Sequence, residues 1–274
     1  LIRSVGTQSR RFPHTGMTKR STREEAAPSA ALSPPDADQL TRLMAYGPVR
    51  VHLVLEADPI VNEISGNVIA EIPGREAPEE IVVIGGHLDS WDLGTGAVDD
   101  GAGVAITMAA AKLIKDLPRS PRRTIRLVLW GSEEVGLLGA RAYANQHAGE
   151  LDNHILAAES DFGAGQIWRI DTRFGDDVEH YRGVIQSLLA PLGVAEGNNE
   201  ATGGPDASLL TRAGVPAVSL RQNGWDYFDL HHTPDDTLDK IDPIDMRQNV
   251  AAYAALAYIA AETDWDFRGA PAGD

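Results

Sequence analysis

Ile81-Val82-Val83-Ile84-Gly85-Gly86-His87-Leu88-Asp89-Ser90 decides the fold class of this 274-residue chain. Its first six residues lack any polar alternation, the mark of a strand covered on both faces. Such a strand needs helices above and below it, and the residues on either side supply them. Upstream, 51–56 and 67–72 read as strands. Downstream, 99–117 reads as a small-residue helix stopped by Pro118, 124–131 as a second buried strand, and 134–146 as a helix. Strands then follow at 155–160, 167–171 and 216–221, with helices at 178–192 and 206–213. An alanine-rich helix at 243–261 closes the series. Strands alternating with helices predict an α/β fold, a three-layer αβα sandwich on a mostly parallel, mixed sheet.

Composition agrees with a globular protein: 43% hydrophobic and 23% charged residues. The formal net charge of −16 repels phosphate backbones and anionic lipid, so neither nucleic acid nor membrane is an expected partner. With no cysteine, disulfides, thiolate zinc sites and a cysteine nucleophile are all excluded. No apolar run approaches the ~20 residues of a membrane span. Residues 1–36 are rich in Arg, Ser, Thr and Pro. Within them 1–5 reads as a strand and Ser33-Pro34-Pro35 as a linker, before a short helix at 36–44 capped by Asp36.

In sheets of this kind ligands bind beyond the carboxyl ends of the strands. His87-Leu88-Asp89-Ser90 follows one predicted strand, Ser132-Glu133-Glu134 a second and Asp161 a third. Val98-Asp99-Asp100-Gly101 comes after the first strand and a glycine-rich turn, and His231-His232-Thr233-Pro234-Asp235-Asp236-Thr237 lies on a loop after the fourth. Each short motif alone is usually a turn, a solvated helix start or a satisfied histidine; their convergence on one edge carries the signal. Imidazole and carboxylate suit zinc when no thiolate is present. A two-metal site needs a bridging carboxylate and terminal ligands on each ion. Asp99 fits the bridge, with His87 and Asp161 on one ion and Glu134 and His232 on the other. Glu133 is left beside the metals as general base, and Asp89 is suited to hold the second nitrogen of His87. Asp236 is a weaker candidate for the same service to His232.

These motifs resemble metallopeptidase family twenty-eight, the two-zinc exopeptidases. Within it the stretch Gly85-Gly86-His87-Leu88-Asp89-Ser90-Trp91-Asp92-Leu93-Gly94-Thr95-Gly96-Ala97 is most similar to the plasma glutamate carboxypeptidase (carboxypeptidase Q) group. The resemblance implies a zinc-exopeptidase fold. It also implies a peptide or dipeptide substrate, aminopeptidase or dipeptidase activity, two Zn²⁺ (Co²⁺ or Mn²⁺ as substitutes), and a hydroxide bridging the ions. It makes 1–36, with Arg3-Ser4-Val5 and Pro13-His14-Thr15-Gly16, the remnant of a preceding protease-associated domain; 37–265 the catalytic domain; and 266–274 a tail. A secreted or periplasmic location and a homodimer are compatible with it. The doublet leaves His231 as a rival ligand; His232 is chosen because it directly precedes Thr-Pro-x-Asp-Thr, the position the family uses. Gly203-Gly204-Pro205-Asp206 lines the pocket or forms a turn with Asp206 as helix cap. Trp91, Tyr227 and Phe228 either shape the pocket or pack. His14, His52, His147, His154 and His180 have no motif around them and read as surface or core. Two alternatives stand: a non-catalytic relative, against which all ligand positions and Glu133 are filled, and a glutaminyl-cyclase-like zinc acyl-transfer enzyme on the same scaffold. A serine hydrolase lacks its Gly-x-Ser-x-Gly elbow here.

Overall fold

The computed structural model describes residues 1–17, 29–55 and 63–269. The chain begins with β1 (Ile2–Arg3), β2 (Ala31–Leu32) and α1 (Pro34–Met44). It continues through β3 (Val68–Ile72), β4 (Ala77–His87), α2 (Ala102–Lys115), β5 (Arg123–Trp130), α3 (Leu138–Gln146) and β6 (His154–Glu159). Then come β7 (Ile167–Arg173), α4 (Tyr181–Leu189), β8 (Ala195–Glu196), α5 (Ser208–Arg212), β9 (Ala217–Gln222), α6 (Tyr227–Leu230) and α7 (Pro243–Glu262).

Seven strands form one mixed sheet in the order β3-β5-β4-β6-β9-β7-β8. The strands β5, β4, β6 and β9 run parallel, while β3 pairs antiparallel with β5 and β7 antiparallel with β9, and β8 runs parallel to β7 at the edge. Alternate residues of β4 serve opposite layers. Val82 and Ile84 pack with Ile106 and Ala110 of α2 and with Tyr253 and Leu256 of α7. Ile81 and Val83 pack with Ala140 and Tyr143 of α3 and Leu210 of α5. The three-layer α/β expectation therefore stands, and its physical basis is the doubly buried β4. Helix α7 starts where Asp242 accepts a hydrogen bond from Ile244 N (2.7 Å) and Pro243 occupies the first turn.

Several boundaries differ from the sequence expectation. Residues 51–55 form no strand, and Glu56 lies outside the described residues. The helix expected from 134 begins only at Leu138, because the N–H groups of Glu133 and Glu134 are taken by the Asp89 carboxylate and Leu137 is left-handed (φ 58°). The helix expected from 99 begins at Ala102, after a wide turn at Ala97–Gly101 in which Asp99 and Asp100 have non-helical backbone angles. The stretch 178–192 is α-helical only over Tyr181–Leu189, with a 3₁₀ turn on each flank, the second containing Pro191. Ser33-Pro34-Pro35 is no linker: Ser33 Oγ caps α1 by accepting from Asp36 N (3.3 Å), and the prolines fill its first turn. The 1–5 strand shrinks to Ile2–Arg3, paired with Ala31–Leu32. Phe267 is fully buried in the main core, so the expected boundary at 265 falls inside a packed cluster. Among the described residues no helix is long and apolar enough to cross a membrane.

Candidate metal centre

Strand β4 ends on His87, only 1% exposed, which brings its imidazole to the carboxyl rim of the sheet. The wide turn before α2 packs directly against that strand end. A side chain at Gly86 would meet Asp100 Oδ2 at 2.6 Å, and one at Gly103 would meet Ser160 O at 1.8 Å, so glycine is what lets these segments approach. Asp100 locks the junction, accepting from His87 N and Gly103 N (both 3.0 Å). Asp236 grips the same turn, accepting from Val98 N (2.6 Å) and Asp99 N (3.2 Å). It thus orients the Asp99 backbone instead of serving His232.

Asp99, 3% exposed, presents its two oxygens to two different clusters. Oδ1 lies 3.1 Å from His87 Nε2, whose other carboxylate neighbour is Asp161 (3.6 Å). Oδ2 lies 3.0 Å from His231 Nε2 and 3.3 Å from His232 Nε2. Glu134 Oε2 closes the second cluster, 2.7 Å from His232 Nε2. His87, Asp99 and Asp161 form one group of converging donor atoms, and Asp99, Glu134 and His232 a second. All five expected ligands meet here. His231 sits against Asp99 as well, but its Nδ1 is held 2.6 Å from His14 Nε2.

These residues fit divalent cations. Glu134 Oε1 is buried without a hydrogen-bond partner, a costly state unless something else satisfies it, and Asp99 Oδ2 has the two imidazole nitrogens close by but outside hydrogen-bond geometry. The donors are all imidazole nitrogens and carboxylate oxygens, the set suited to zinc. The electrostatics point the same way. Burial opposes a charge on His87 and on His232, yet the adjoining carboxylates win; His87 is held well above the usual histidine range and His232 is raised to about 10. Burial opposes ionisation of Asp99 as well, but the three imidazoles drive it far below the carboxylate range. The centre therefore demands positive charge.

Around the ligands the structure departs from the sequence reading in instructive ways. His87 Nδ1 is held by the backbone carbonyl of Asp89 (2.8 Å), while the nearest Asp89 side-chain oxygen is 3.7 Å away. The Asp89 carboxylate instead accepts from Glu133 N (2.9 Å) and Glu134 N (3.1 Å) and sets the turn that carries both glutamates. His232 Nδ1 rests on Thr15 O (2.9 Å), and Thr15 Oγ1 donates to His232 O (2.9 Å). Thr7 N and Oγ1 donate to Asp229 (2.7 and 2.6 Å), so residues 7–17 lie as a strap along the loop bearing the histidine doublet. His14, read from sequence as surface or core, belongs to the site. Burial first, then His231 and His232, lower its pKa to about 4, leaving a neutral ring. Pro13-His14-Thr15-Gly16 was the available signal, but separation from the doublet by more than two hundred residues hid its meaning.

The cleft holds about 480 Å³ and is lined by Asp99, Glu133, Glu134, Asp161, Tyr227 and His232, with Met17 of the strap among the remaining walls. Burial, then Asp161, raises the Glu133 pKa to about 8. Burial and the Asp161 and Asp99 charges push the Tyr227 phenol well up, so it keeps its proton. Trp91 stacks on His232 with centroids 4.9 Å apart. Asp206 is fully buried and caps no helix through its side chain. His154 is a core residue, hydrogen-bonded to Tyr143 OH (2.8 Å).

Comparison with known proteins agrees with this geometry. Carboxypeptidase Q of Mus musculus is 38% identical over 267 residues, 96% of this chain and 56% of that protein. The chain thus spans about half the length of the curated relatives it matches. A solved peptidase M28 precursor from Shewanella amazonensis SB2B is 49% identical with a TM-score of 0.86, covering 99% of this chain and 62% of that one. An aminopeptidase from Aneurinibacillus sp. strain AM-1, at 23% identity and a TM-score of 0.59 over 89% of this chain and 59% of its own, shares the fold. The model of peptidase family M28 matches residues 67–257, a span that contains all five converging candidate ligands and Glu133, and the chain belongs to that family.

Proposed function

We propose that the chain carries the catalytic centre of a metal-dependent exopeptidase, an aminopeptidase or dipeptidase that works with two zinc ions. The observation that carries this reading is the Asp99 carboxylate, with one oxygen toward His87 and the other toward the histidine doublet. His87 and Asp161 would hold one ion and Glu134 and His232 the other, with Asp99 between them. When bound, the zinc pair supplies Lewis acidity and lowers the pKa of water.

The chain's own groups do the rest. Glu133 Oε takes a proton from the attacking water and delivers it to the leaving amine nitrogen, the general acid–base role open to a carboxyl in this cleft. Asp89 keeps Glu133 and Glu134 in register through their backbone N–H groups and is a positioning residue, not a proton carrier. Tyr227, protonated and buried in the same cleft, is a donor for the substrate oxygen that gains charge. We read residues 1–36 as the tail of a preceding protease-associated domain, and the whole protein as secreted or periplasmic.

The test pairs metal analysis with turnover of free and N-blocked dipeptides. The purified protein is expected to hold two zinc ions, and an N-terminal block should abolish hydrolysis. Glu133→Gln should retain both ions and lose at least ~10²-fold in kcat, the scale of lost acid–base catalysis. One ion per chain with cyclisation of an N-terminal glutamine would favour the acyl-transfer alternative; two ions without turnover of any peptide would favour a non-catalytic relative.

A further inference from the structure

His231 is left over by the assignment of the metal centre. It belongs to neither group of converging donors that contains Asp99, yet its Nε2 lies 3.0 Å from Asp99 Oδ2. Local geometry brings it there. Consecutive side chains of an extended chain point to opposite sides. His232 is instead left-handed (φ 55°), and the two rings of the doublet stack with centroids 3.7 Å apart and planes 13° from parallel. Both Nε2 atoms therefore face the same carboxylate oxygen.

The two rings are held from behind by different groups. His232 Nδ1 rests on Thr15 O, while His231 Nδ1 meets His14 Nε2 at 2.6 Å. The strap fixes His14 on both sides. Ahead of it Thr7 donates to Asp229 and Arg10 pairs with Asp235; after it Thr15 donates to His232 O. At 3.0 Å a lone pair on His231 Nε2 would oppose the charge of Asp99, so Nε2 is the nitrogen that bears hydrogen. That approach lies outside hydrogen-bond geometry. Asp99 alone does not fix the ring, and the short contact with His14 does.

We propose that His231 backs the Asp99 carboxylate with its Nε2–H, and that His14 is the positioning residue that holds the His231 ring in place. This assignment rests on the exopeptidase reading, in which Asp99 spans two ions, and it gives the strap a part in the metal centre beyond covering it. Groups that hold a metal ligand from behind typically change affinity or activity by about 10- to 100-fold when removed. His14 acts through one intervening ring, which places it at the lower end of that range.

The experiment compares two substitutions in the full chain. His14→Gln keeps a polar amide within reach of His231 Nδ1, whereas His14→Leu fills similar space without one. Chelator competition gives the zinc affinities, and kcat and KM are measured at saturating zinc. Two further readouts are the visible spectrum of the cobalt-substituted protein and the exchange rate of the His231 Nε2–H. That hydrogen is followed by NMR of protein labelled with nitrogen-15 histidine and assigned by its loss in His231→Gln. His14→Leu should weaken the ion on the Glu134 and His232 side by about 10-fold. It should also shift the cobalt spectrum, lower kcat with KM near native, and speed exchange of the Nε2–H. His14→Gln should restore most of each. Equal losses in the two variants would mean that His14 only packs against the doublet, and overturn the proposal. Native zinc affinity and cobalt spectrum in His14→Leu would overturn it too, as would a native protein with no slowly exchanging His231 Nε2–H. Should His14→Leu fail to fold, that resonance in the native protein and in His14→Gln decides. If no peptide is hydrolysed, the exopeptidase reading fails, while the metal affinities and the N–H exchange still decide this one.

Discussion

Replacing Asp89 with asparagine separates two roles that one residue combines. Its backbone carbonyl orients His87, and its carboxylate holds Glu133 N and Glu134 N at 2.9 and 3.1 Å. The Asp89→Asn variant would keep the backbone carbonyl, and hence the His87 contact. It would keep one side-chain acceptor, lose the other, and turn an NH₂ group toward an N–H. A hydrogen bond to a charged group is worth ~1.5–3 kcal/mol; with the Asp89 side chain 29% exposed, solvent screening reduces the loss to roughly 1–2 kcal/mol. The turn 133–137 absorbs that loss, and it carries both the proposed ligand Glu134 and the proposed base Glu133. Affinity for the second zinc is therefore expected to fall about 5- to 30-fold, since ~1.4 kcal/mol is a factor of ten, with kcat falling alongside. The first zinc should remain, and Tm should drop by only about 2–6 °C. Competition with a calibrated chelator resolves the two dissociation constants. Simultaneous and equal weakening of both ions, or unchanged affinity of both, would show that the clamp acts elsewhere and refute the reasoning.

Further outcomes follow from other contacts. Gly103→Ala places a methyl 1.8 Å from Ser160 O, so α2 must shift away from β6; overpacking of about 1–3 kcal/mol should lower Tm by several degrees, and an unchanged melting curve would contradict the packing described. Thr15→Pro removes the N–H and hydroxyl that hold His232 O, at ~1 kcal/mol each, and should weaken zinc held by His232 roughly 5-fold or more; native zinc affinity would mean the strap only covers the site. Asp171 is held below the carboxylate range, burial being outweighed by Arg221 and its other donors. A depressed folded value gives stability that is complete above the unfolded pKa of about 3.9 and lost as pH falls through the folded one. Urea unfolding between neutral pH and about pH 3 should show a shallower acid decline in Asp171→Asn; parallel curves would remove Asp171 from that limb.

Much of the fold was legible in the sequence for a local reason. The run 81–86 is apolar at every position, and a strand buried on both sides is the arrangement that uses such a run. The convergence of the candidate ligands was legible because the parallel strands β4, β5 and β6 send their following residues to one rim, so motifs far apart in sequence share an address. Helix starts were less legible. The N-terminus of α3 depends on which group takes the N–H of Glu133 and Glu134, and that group is forty-four residues earlier.

By itself the sequence determined the layered architecture, the absence of thiolate chemistry and the set of imidazoles and carboxylates available to a cation, because period, composition and motif are local properties. Only the tertiary structure decided that Asp89 acts through its carbonyl on His87 and through its carboxylate on the glutamate turn, that Asp236 serves Asp99, and that His14 and Thr15 join the metal rim. The same holds for the pairing of Arg169 and Arg221 on Asp171. Each of these is a contact across long separation, set by the packing of whole elements and unmarked by any pattern along the chain.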